Sequence, residues 1–493
     1  MHRPDITGTS LATRLEIVLR PDPRRVIVKL FVPGEDAALI RSRAAGLADR
    51  ITALDETEVE RLLEQTLRRF GSRHHQLEAV FQHHFELVSH RVTDVGDLSK
   101  ARSVLVGAYF SHEYAVEAAA LCNPSMVSHP DQSDVDSGAL RVAISLRQIG
   151  EGHISSIGFA SAVIGPGDRL TVRDRPGPLM VGQRVSSRHD RNLLAAGLAE
   201  QGWDNEVSAT VLNALPPEFD DDDFDRALAQ VPADLMARAT AQSTLEQLRR
   251  TLAASYSVSF PATIPLEQRV LWPSTPLESN GMEDARFVRF TDDSGMRSYR
   301  ATYTAYDGRH IGSRMLTSAD LTTFDLTPLR GPAARNKGVA LFPRTVNGRT
   351  LALCRSDGET SGLTTLDDQS QWQTPVPLHT PQQGWELIQV GNCGSPLETE
   401  AGWLVLTHGV GPMRRYAIGA MLLDLNHPER VIAQLPGVLL APDDDDRDGY
   451  VPNVVYSCGG LIHEGTLWIP YGVGDTRVRF ANIAVDQLLA AMR

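Results

Sequence analysis

The residues best suited to chemistry stand together in Ser279-Asn280-Gly281-Met282-Glu283-Asp284-Ala285-Arg286-Phe287-Val288. Two adjacent carboxylates and a guanidinium follow a glycine-led turn into a strand. Strand alternation puts Glu283 on the face opposite Asp284, and Arg286 on the same face as Asp284. A carboxylate beside an arginine stays ionised, whereas a desolvated one is raised and serves as an acid. Glu-Asp-x-Arg alone is also an ordinary surface salt bridge, so its meaning depends on its company. Downstream come Tyr303-Thr304-Ala305-Tyr306-Asp307, Asn336-Lys337-Gly338, Leu353-Cys354-Arg355, Thr407-His408-Gly409, Val451-Pro452-Asn453 and Gly472-Val473-Gly474-Asp475-Thr476.

In that order and spacing these windows resemble glycoside hydrolase family 130, the inverting β-mannoside phosphorylases and their hydrolytic relatives. Upstream, Cys122-Asn123-Pro124-Ser125, Ser145-Leu146-Arg147 and Ser155-Ser156-Ile157-Gly158 look like the opening blade of that family. The resemblance covers residues 105–190 and 265–493, and it implies a five-bladed β-propeller around a central sugar pocket. It also implies Asp284 as general acid, reaching the glycosidic oxygen through the 3-hydroxyl of the mannosyl unit, while phosphate attacks the opposite face. This differs from the usual inverting pair, in which a second carboxylate activates water. Ala285 stands where the family usually has proline; a fixed φ is lost, but no functional group.

A phosphate nucleophile needs converging cations. By family position these are Lys337, Arg355, His408 and Arg335, with Arg344 flanking them. The resemblance gives the sugar to Asn123, Arg147, Glu283, Arg286, Tyr306, Asp307 and Asp475. Asp475 and Asp307 also lie in turn sequences and read equally as loop caps. Glu386 and Glu398 are neighbouring carboxylates that could serve water, and Glu398 reads as a hairpin-turn residue. The expected reaction is inverting phosphorolysis of β-mannosides (manno-oligosaccharides), giving α-mannose 1-phosphate and a shortened acceptor. The alternatives are an inverting β-mannosidase that uses water and a non-catalytic sugar-binding propeller; the latter has no need of an acid.

No cofactor or metal is expected beyond phosphate as co-substrate. His112-Glu113 lacks the second half of a zinc motif. The acidic runs at 220–223 and 443–446 lack calcium-loop spacing and read as solvated turns or helix N-termini. The pairs His74-His75 and His83-His84 diverge by about 100° on a helix and read as a wet face.

These groups must be carried by mostly β structure. Short strands such as LRVAISLR and ISSIGFASAVI fill 105–185 and recur from 265 to the last helix, in ANIAVDQLLAAMR. Together they amount to roughly five blades of about 60 residues. Residues 1–104 read as a strand over 25–32 followed by helices over 54–67 and 76–88. The domains expected are therefore 1–104, an α-rich N-terminal region, and 105–493, the propeller. A helical insertion at about 190–258 interrupts the blades, with a helix over 235–252. The two helical pieces are expected either to pack together beside the pocket or to pair between subunits of a homo-oligomer.

Among 493 residues, 48 Lys and Arg against 61 Asp and Glu leave a net charge of −13, which argues against nucleic acid and anionic membrane as partners. No apolar run reaches the roughly 18 residues of a membrane span. The first residues lack a secretory pattern, and four widely spaced cysteines read as reduced thiols; a cytoplasmic enzyme is expected.

Overall fold

The computed structural model describes residues 10–34, 43–92, 98–368 and 370–493. Residues 1–9, part of the stretch where no secretory leader is expected, lie outside the described residues. The period-two segments form antiparallel meanders, and the protein is mainly β. The first meander is Ala120–Ser128, Leu140–Ile149, Ser155–Gly165 and Arg169–Val172. The second is Gly281–Thr291, Arg297–Tyr306, Ile311–Ser318 and Thr323–Pro328, extended by Tyr256–Ser259 and Gln183–Val185. A parallel pairing of Ser155 with Gly281 helps merge these two into one sheet of 12 strands. The third runs Ala340–Leu341, Leu351–Cys354, Ser361–Thr365 and Val376–His379. The fourth is Gln389–Asn392, Gly402–Val410, Tyr416–Leu423 and Val431–Gln434.

The fifth meander is Val455–Tyr456, Thr466–Val473 and Arg477–Ala484, and its last place is taken by Thr13–Leu19 from the other end of the chain. Thr13 lies opposite Asn482 and Leu19 opposite Val478.

Neighbouring meanders are glued by apolar clusters in which inward side chains of both take part. Phe159 and Phe287 join the first to the second, and Val288 and Leu341 the second to the third. Leu353 and Trp403 join the third to the fourth, and Leu406 and Ile469 the fourth to the fifth. Ile144 and Phe480 then join the fifth back to the first.

The N-terminal helices Arg43–Thr52, Glu56–Phe70, Leu77–Val88 and Lys100–Tyr109 enclose a core that includes Ile51, Val59, Phe85 and Phe110. Asp55 and Ser99 cap two of them, each accepting from a backbone N–H three residues on. The strand expected over 25–32 forms as Val26–Leu30, paired with Ser111–Ala115.

One histidine of each pair departs from the wet face expected of it, while His83 is exposed as expected. His74 and His84 are buried; His84 Nδ1 lies 2.7 Å from Ser111 Oγ, and His74 Nε2 lies 2.8 Å from Glu113. The helix Leu77–Val88 packs along Lys100–Tyr109, so this side of it is enclosed. Burial pushes His84 down to about 4.

The insertion forms Arg191–Glu200, Glu206–Ala214, Asp221–Ala229, Ala233–Met236 and Ala241–Ala253, around its own core of Leu198, Val211, Phe224 and Leu248. The helix expected over 235–252 is broken. Chain direction changes after the single turn Ala233–Met236, where Arg238 pairs with Glu206, and a new helix starts at Ala241. The insertion leads directly into Tyr256–Ser259, beyond the outermost strand of the second meander, and Glu200 pairs with Arg330 at 3.4 Å. It therefore docks at the outer edge of that sheet, which differs from the first of the two expected arrangements, packing beside the pocket.

The acidic run at 220–223 caps Asp221–Ala229 as a helix N-terminus. The run at 443–446 is only partly solvated: Asp446 is fully buried, 2.8 Å from Arg14 and 3.1 Å from Arg479. No helix among the described residues is long and apolar enough to cross a membrane.

Candidate active site

The site is built where the inner strands of the meanders begin. Two of these strands carry irregularities at the same level. The pairing of Gly281–Thr291 shifts register between Glu283 and Arg286, and that of Ala120–Ser128 shifts between Cys122 and Ser125. Asp284 (φ 56°) and Asn123 (φ 47°) occupy the bulges in left-handed conformation. Such a backbone costs a non-glycine residue free energy and persists where surrounding contacts dictate it. Here Asn123 Nδ2 donates to Asp284 Oδ1 at 2.6 Å.

The bulge overturns the alternation expected along the strand. Glu283 and Asp284 do not face opposite ways; both reach Arg147, at 2.7 Å and 3.3 Å. Arg286 lies with its terminal nitrogen 4.0 Å from Asp284 Oδ2. That nitrogen donates to Tyr456 Oη at 2.9 Å, and the other two go to Asp284 O and Cys393 O, at 2.8 and 3.0 Å. Lys337 Nζ donates to Glu283 Oε2 at 2.8 Å. Arg147 is itself steadied by Ser155, whose Oγ accepts from its Nε at 3.0 Å.

A second group stands beside the first through Tyr456, whose ring meets that of His408 edge-on at 4.9 Å. His408 Nδ1–H donates to Asn392 O at 3.2 Å, which leaves Nε2 to accept from Arg355 at 3.4 Å. Burial, with Arg355 and Arg286 adding to it, holds His408 well below its ordinary value. His408 is therefore a neutral imidazole aimed at Arg355, not the cation expected from its family position. Gly391 makes room for both: a Cβ there would lie 2.8 Å from the imidazole and 3.1 Å from Arg355 Cδ.

Electrostatically, burial raises Asp284, but Arg147, Arg286 and Lys337 together with Asn123 outweigh it and hold the carboxyl at about 2. Asp475, left-handed at φ 46°, goes the other way. Burial and the charges of Asp284 and Glu283 raise it to about 6 against the pull of Arg147 and Arg414. Among buried polar atoms, Asn123 Oδ1, Asn392 Oδ1 and Arg355 Nε have no hydrogen-bond partner. Native interiors seldom leave such atoms unpaired; these three stand next to the charged cluster, while others of the kind, such as Arg141 Nε and Trp468 Nε1, lie away from it.

The structure thus brings together Asn123, Arg147, Glu283, Asp284, Arg286 and Lys337, with Arg355 and His408 adjoining and Asp475 within their field. Other candidates stand apart. Arg335 is exposed at the end of the short helix Pro332–Arg335. Tyr306 Oη donates to Gly308 O, and Asp307 accepts from the N–H groups of Arg309 and His310 as a turn residue. Arg344 pairs with Glu398 at the surface. Glu386 is buried against His379 at 2.9 Å and caps the N–H groups of Gln382 and Gln383. Sequence reading passed over Asn392 and the roles of Tyr456 and Ser155, which lie in matching windows; each is a polar residue at the end of a strand, which is the one signal it offered.

Residues 240–493 match the model of a glycoside hydrolase family described as beta-1,4-mannooligosaccharide phosphorylase. The chain is 32% identical over 230 residues to a 1,2-beta-oligomannan phosphorylase of Thermoanaerobacter sp. (strain X514), which covers 45% of this chain and 75% of that one. It is 29% identical over 232 residues to a beta-1,2-mannobiose phosphorylase of Listeria innocua, covering 45% of this chain and 63% of that protein. A solved structure of the Listeria innocua beta-1,2-mannobiose phosphorylase with beta-1,2-mannobiose covers 76% of this chain and 92% of its own, at 19% identity and a TM-score of 0.43.

Proposed function

We propose that this chain, which belongs to glycoside hydrolase family 130, cleaves β-mannosides by inverting phosphorolysis, releasing α-mannose 1-phosphate and a shortened acceptor. The reading rests above all on Arg355. Its buried Nε has no partner, and neutral His408 steers its guanidinium without competing for an anion. Lys337 and Arg286 complete a positive wall around the opposite side of the carboxylate pair. Asn123, Arg147, Glu283 and Asp475 supply hydrogen bonds to the sugar.

Asp284 is the general acid. Alone among its cations it is ionised. A phosphate dianion bound to two of those cations, Lys337 and Arg286, offsets their pull and raises the carboxyl, so that arrival of the nucleophile arms the acid. The proton then passes by way of the mannosyl 3-hydroxyl to the leaving oxygen while a phosphate oxygen attacks the anomeric carbon from the far side.

Water as nucleophile is the second reading, and Asp475 favours it: it is a carboxyl poised near 6 with no hydrogen bond among the described residues, as a base for water requires. Against it stand Glu386 and Glu398, both committed elsewhere. Incubating β-mannobiose with and without inorganic phosphate separates the two. Mannose 1-phosphate formed only with phosphate supports phosphorolysis; equal release of free mannose in both supports hydrolysis.

Five meanders that share apolar clusters in cyclic order support a five-bladed propeller closed by Thr13–Leu19. We take the meanders from Ala120 onward as that catalytic domain, with an insertion at 190–258, and the residues ahead of them as an α-rich region that also lends the closing strand. The end of that region moves from the expected 104 to Ala115, because Lys100–Tyr109 and Ser111–Ala115 pack with its helices and its strand. Four buried, unpaired thiols support a reducing, cytoplasmic setting.

A further inference from the structure

Glu278 is a fully buried carboxylate outside the catalytic cluster. It ends the short turn Pro276–Glu278, just ahead of the strand that carries Glu283 and Asp284. Its oxygens accept from four groups and face one guanidinium. The N–H groups of Ser274 and Thr275 lie at 3.0 Å, Tyr303 Oη at 2.6 Å, and Tyr256 Oη at 2.9 and 3.1 Å from the two oxygens. Arg314 Nε lies at 3.3 Å.

These partners come from three directions. Two belong to the turn itself, and Tyr303 and Arg314 belong to the second meander. Tyr256 opens the strand that follows the insertion, and Arg314 also donates to Ala254 O at the end of the insertion's last helix.

On its other side the turn seats against the first meander. Asn280 O accepts from Ser155 N at 3.3 Å. At Gly281, φ 143°, a Cβ would come within 2.7 Å of Ser155. Ser155 in turn holds Arg147, and Arg147 holds Glu283 and Asp284.

We propose that Glu278 is a positioning residue, which clamps the turn ahead of the acid and makes the end of the helical insertion part of the acid's support. It rests on the reading of Asp284 as the acid. Lys337 and Arg355 stand beyond the second meander, and Arg286, on its first strand, is also anchored by Cys393 O and Tyr456 Oη, so loosening this clamp lowers turnover with little effect on phosphate binding. A displacement of about 1 Å at a reacting group costs on the order of a hundredfold in rate.

The test uses the full chain with Tyr256→Phe, Tyr303→Phe and Glu278→Gln, each read as kcat and KM per folded protein and by amide hydrogen exchange at residues 280–284. The expected result is a kcat lower by about tenfold or more, a phosphate KM within about twofold, and faster exchange at those amides. Unchanged kcat and exchange in Tyr303→Phe overturns the proposal, and the same result in Tyr256→Phe alone removes the insertion from it. A phosphate KM that rises as kcat falls means general loosening and also overturns it. Hydrolysis would use the same acid, so release of free mannose by the wild type shifts the assay without touching the test. If the wild type releases no sugar at all, the functional reading fails, and the exchange rates still decide the clamp.

Discussion

Three cations hold Asp284 ionised, and under the function proposed it acts as an acid when a second anion shares them. Asp284→Asn is expected to lose about 10²–10⁴-fold in turnover, the usual worth of a positioned acid. It will melt lower than the wild type, because Arg147 and Arg286 lose a counter-charge, so the rate must be taken per folded molecule. A variant keeping a tenth of the wild-type rate would remove the assignment. His408 acts through Arg355, so their effects on the phosphate KM should not add. His408→Ala and Arg355→Ala are each expected to raise it about tenfold or more, and the double variant little beyond Arg355→Ala. Asp475 makes a prediction of opposite sign to that for Asp284. Its folded-state value, about 6, exceeds the ordinary 3.8, so the fold carries no cost below the ordinary value and a growing one as pH rises through the folded value. Asp475→Asn should therefore raise the melting temperature by about 1–3 °C at about pH 8 and leave it unchanged near about pH 3. A gain of the same size at both pH values would contradict the shift. Asp284, its arginine partners and Lys337 were legible as residue types in a spacing, but their orientation was not. Alternation assumes an unbroken ladder, and at Asp284 and Asn123 the ladder is bulged by contacts that no local pattern encodes.

Strands and helices were easier to read than their ends. The apolar period that marks Leu77–Val88 and Arg191–Glu200 is local, as are the acidic caps of Glu56–Phe70 and Asp221–Ala229. What escaped was where each element docks. His84 looked wet because nothing near it in sequence announces that Lys100–Tyr109 and Ser111 close over it. The insertion looked like a wall for the pocket, yet it carries its own core and hangs on a sheet edge. Leu248, fully buried in that core, tests this independence. Leu248→Ala should cost the insertion about 2–5 kcal/mol of local stability. Hydrogen exchange should quicken in Arg191–Glu200 and Ala241–Ala253 and stay unchanged in Thr466–Val473. Equal quickening in all three would mean that the insertion and the sheets melt as one unit.

At the scale of the whole molecule, the five meanders are joined in a cycle whose last sheet borrows a strand from residues hundreds of positions away. That closure was beyond sequence reading, since Thr13–Leu19 has no local partner and looks like any amphipathic strand. Deleting residues 1–20 uncovers the edge of Arg477–Ala484 and removes Arg14 from buried Asp446. The truncated protein should melt lower and scatter light with rising concentration, as unpaired edges invite association. Unchanged melting and a monodisperse solution would show the strand to be dispensable. The same closure sets a schedule. A ribosome adding about 5–20 residues per second makes Thr13–Leu19 first and its partner last, roughly 25–90 s later. Throughout that wait Leu15, Ile17 and Leu19 belong to a finished strand with nowhere to go, and only Arg14, Glu16 and Arg20 stand between it and a neighbouring nascent chain.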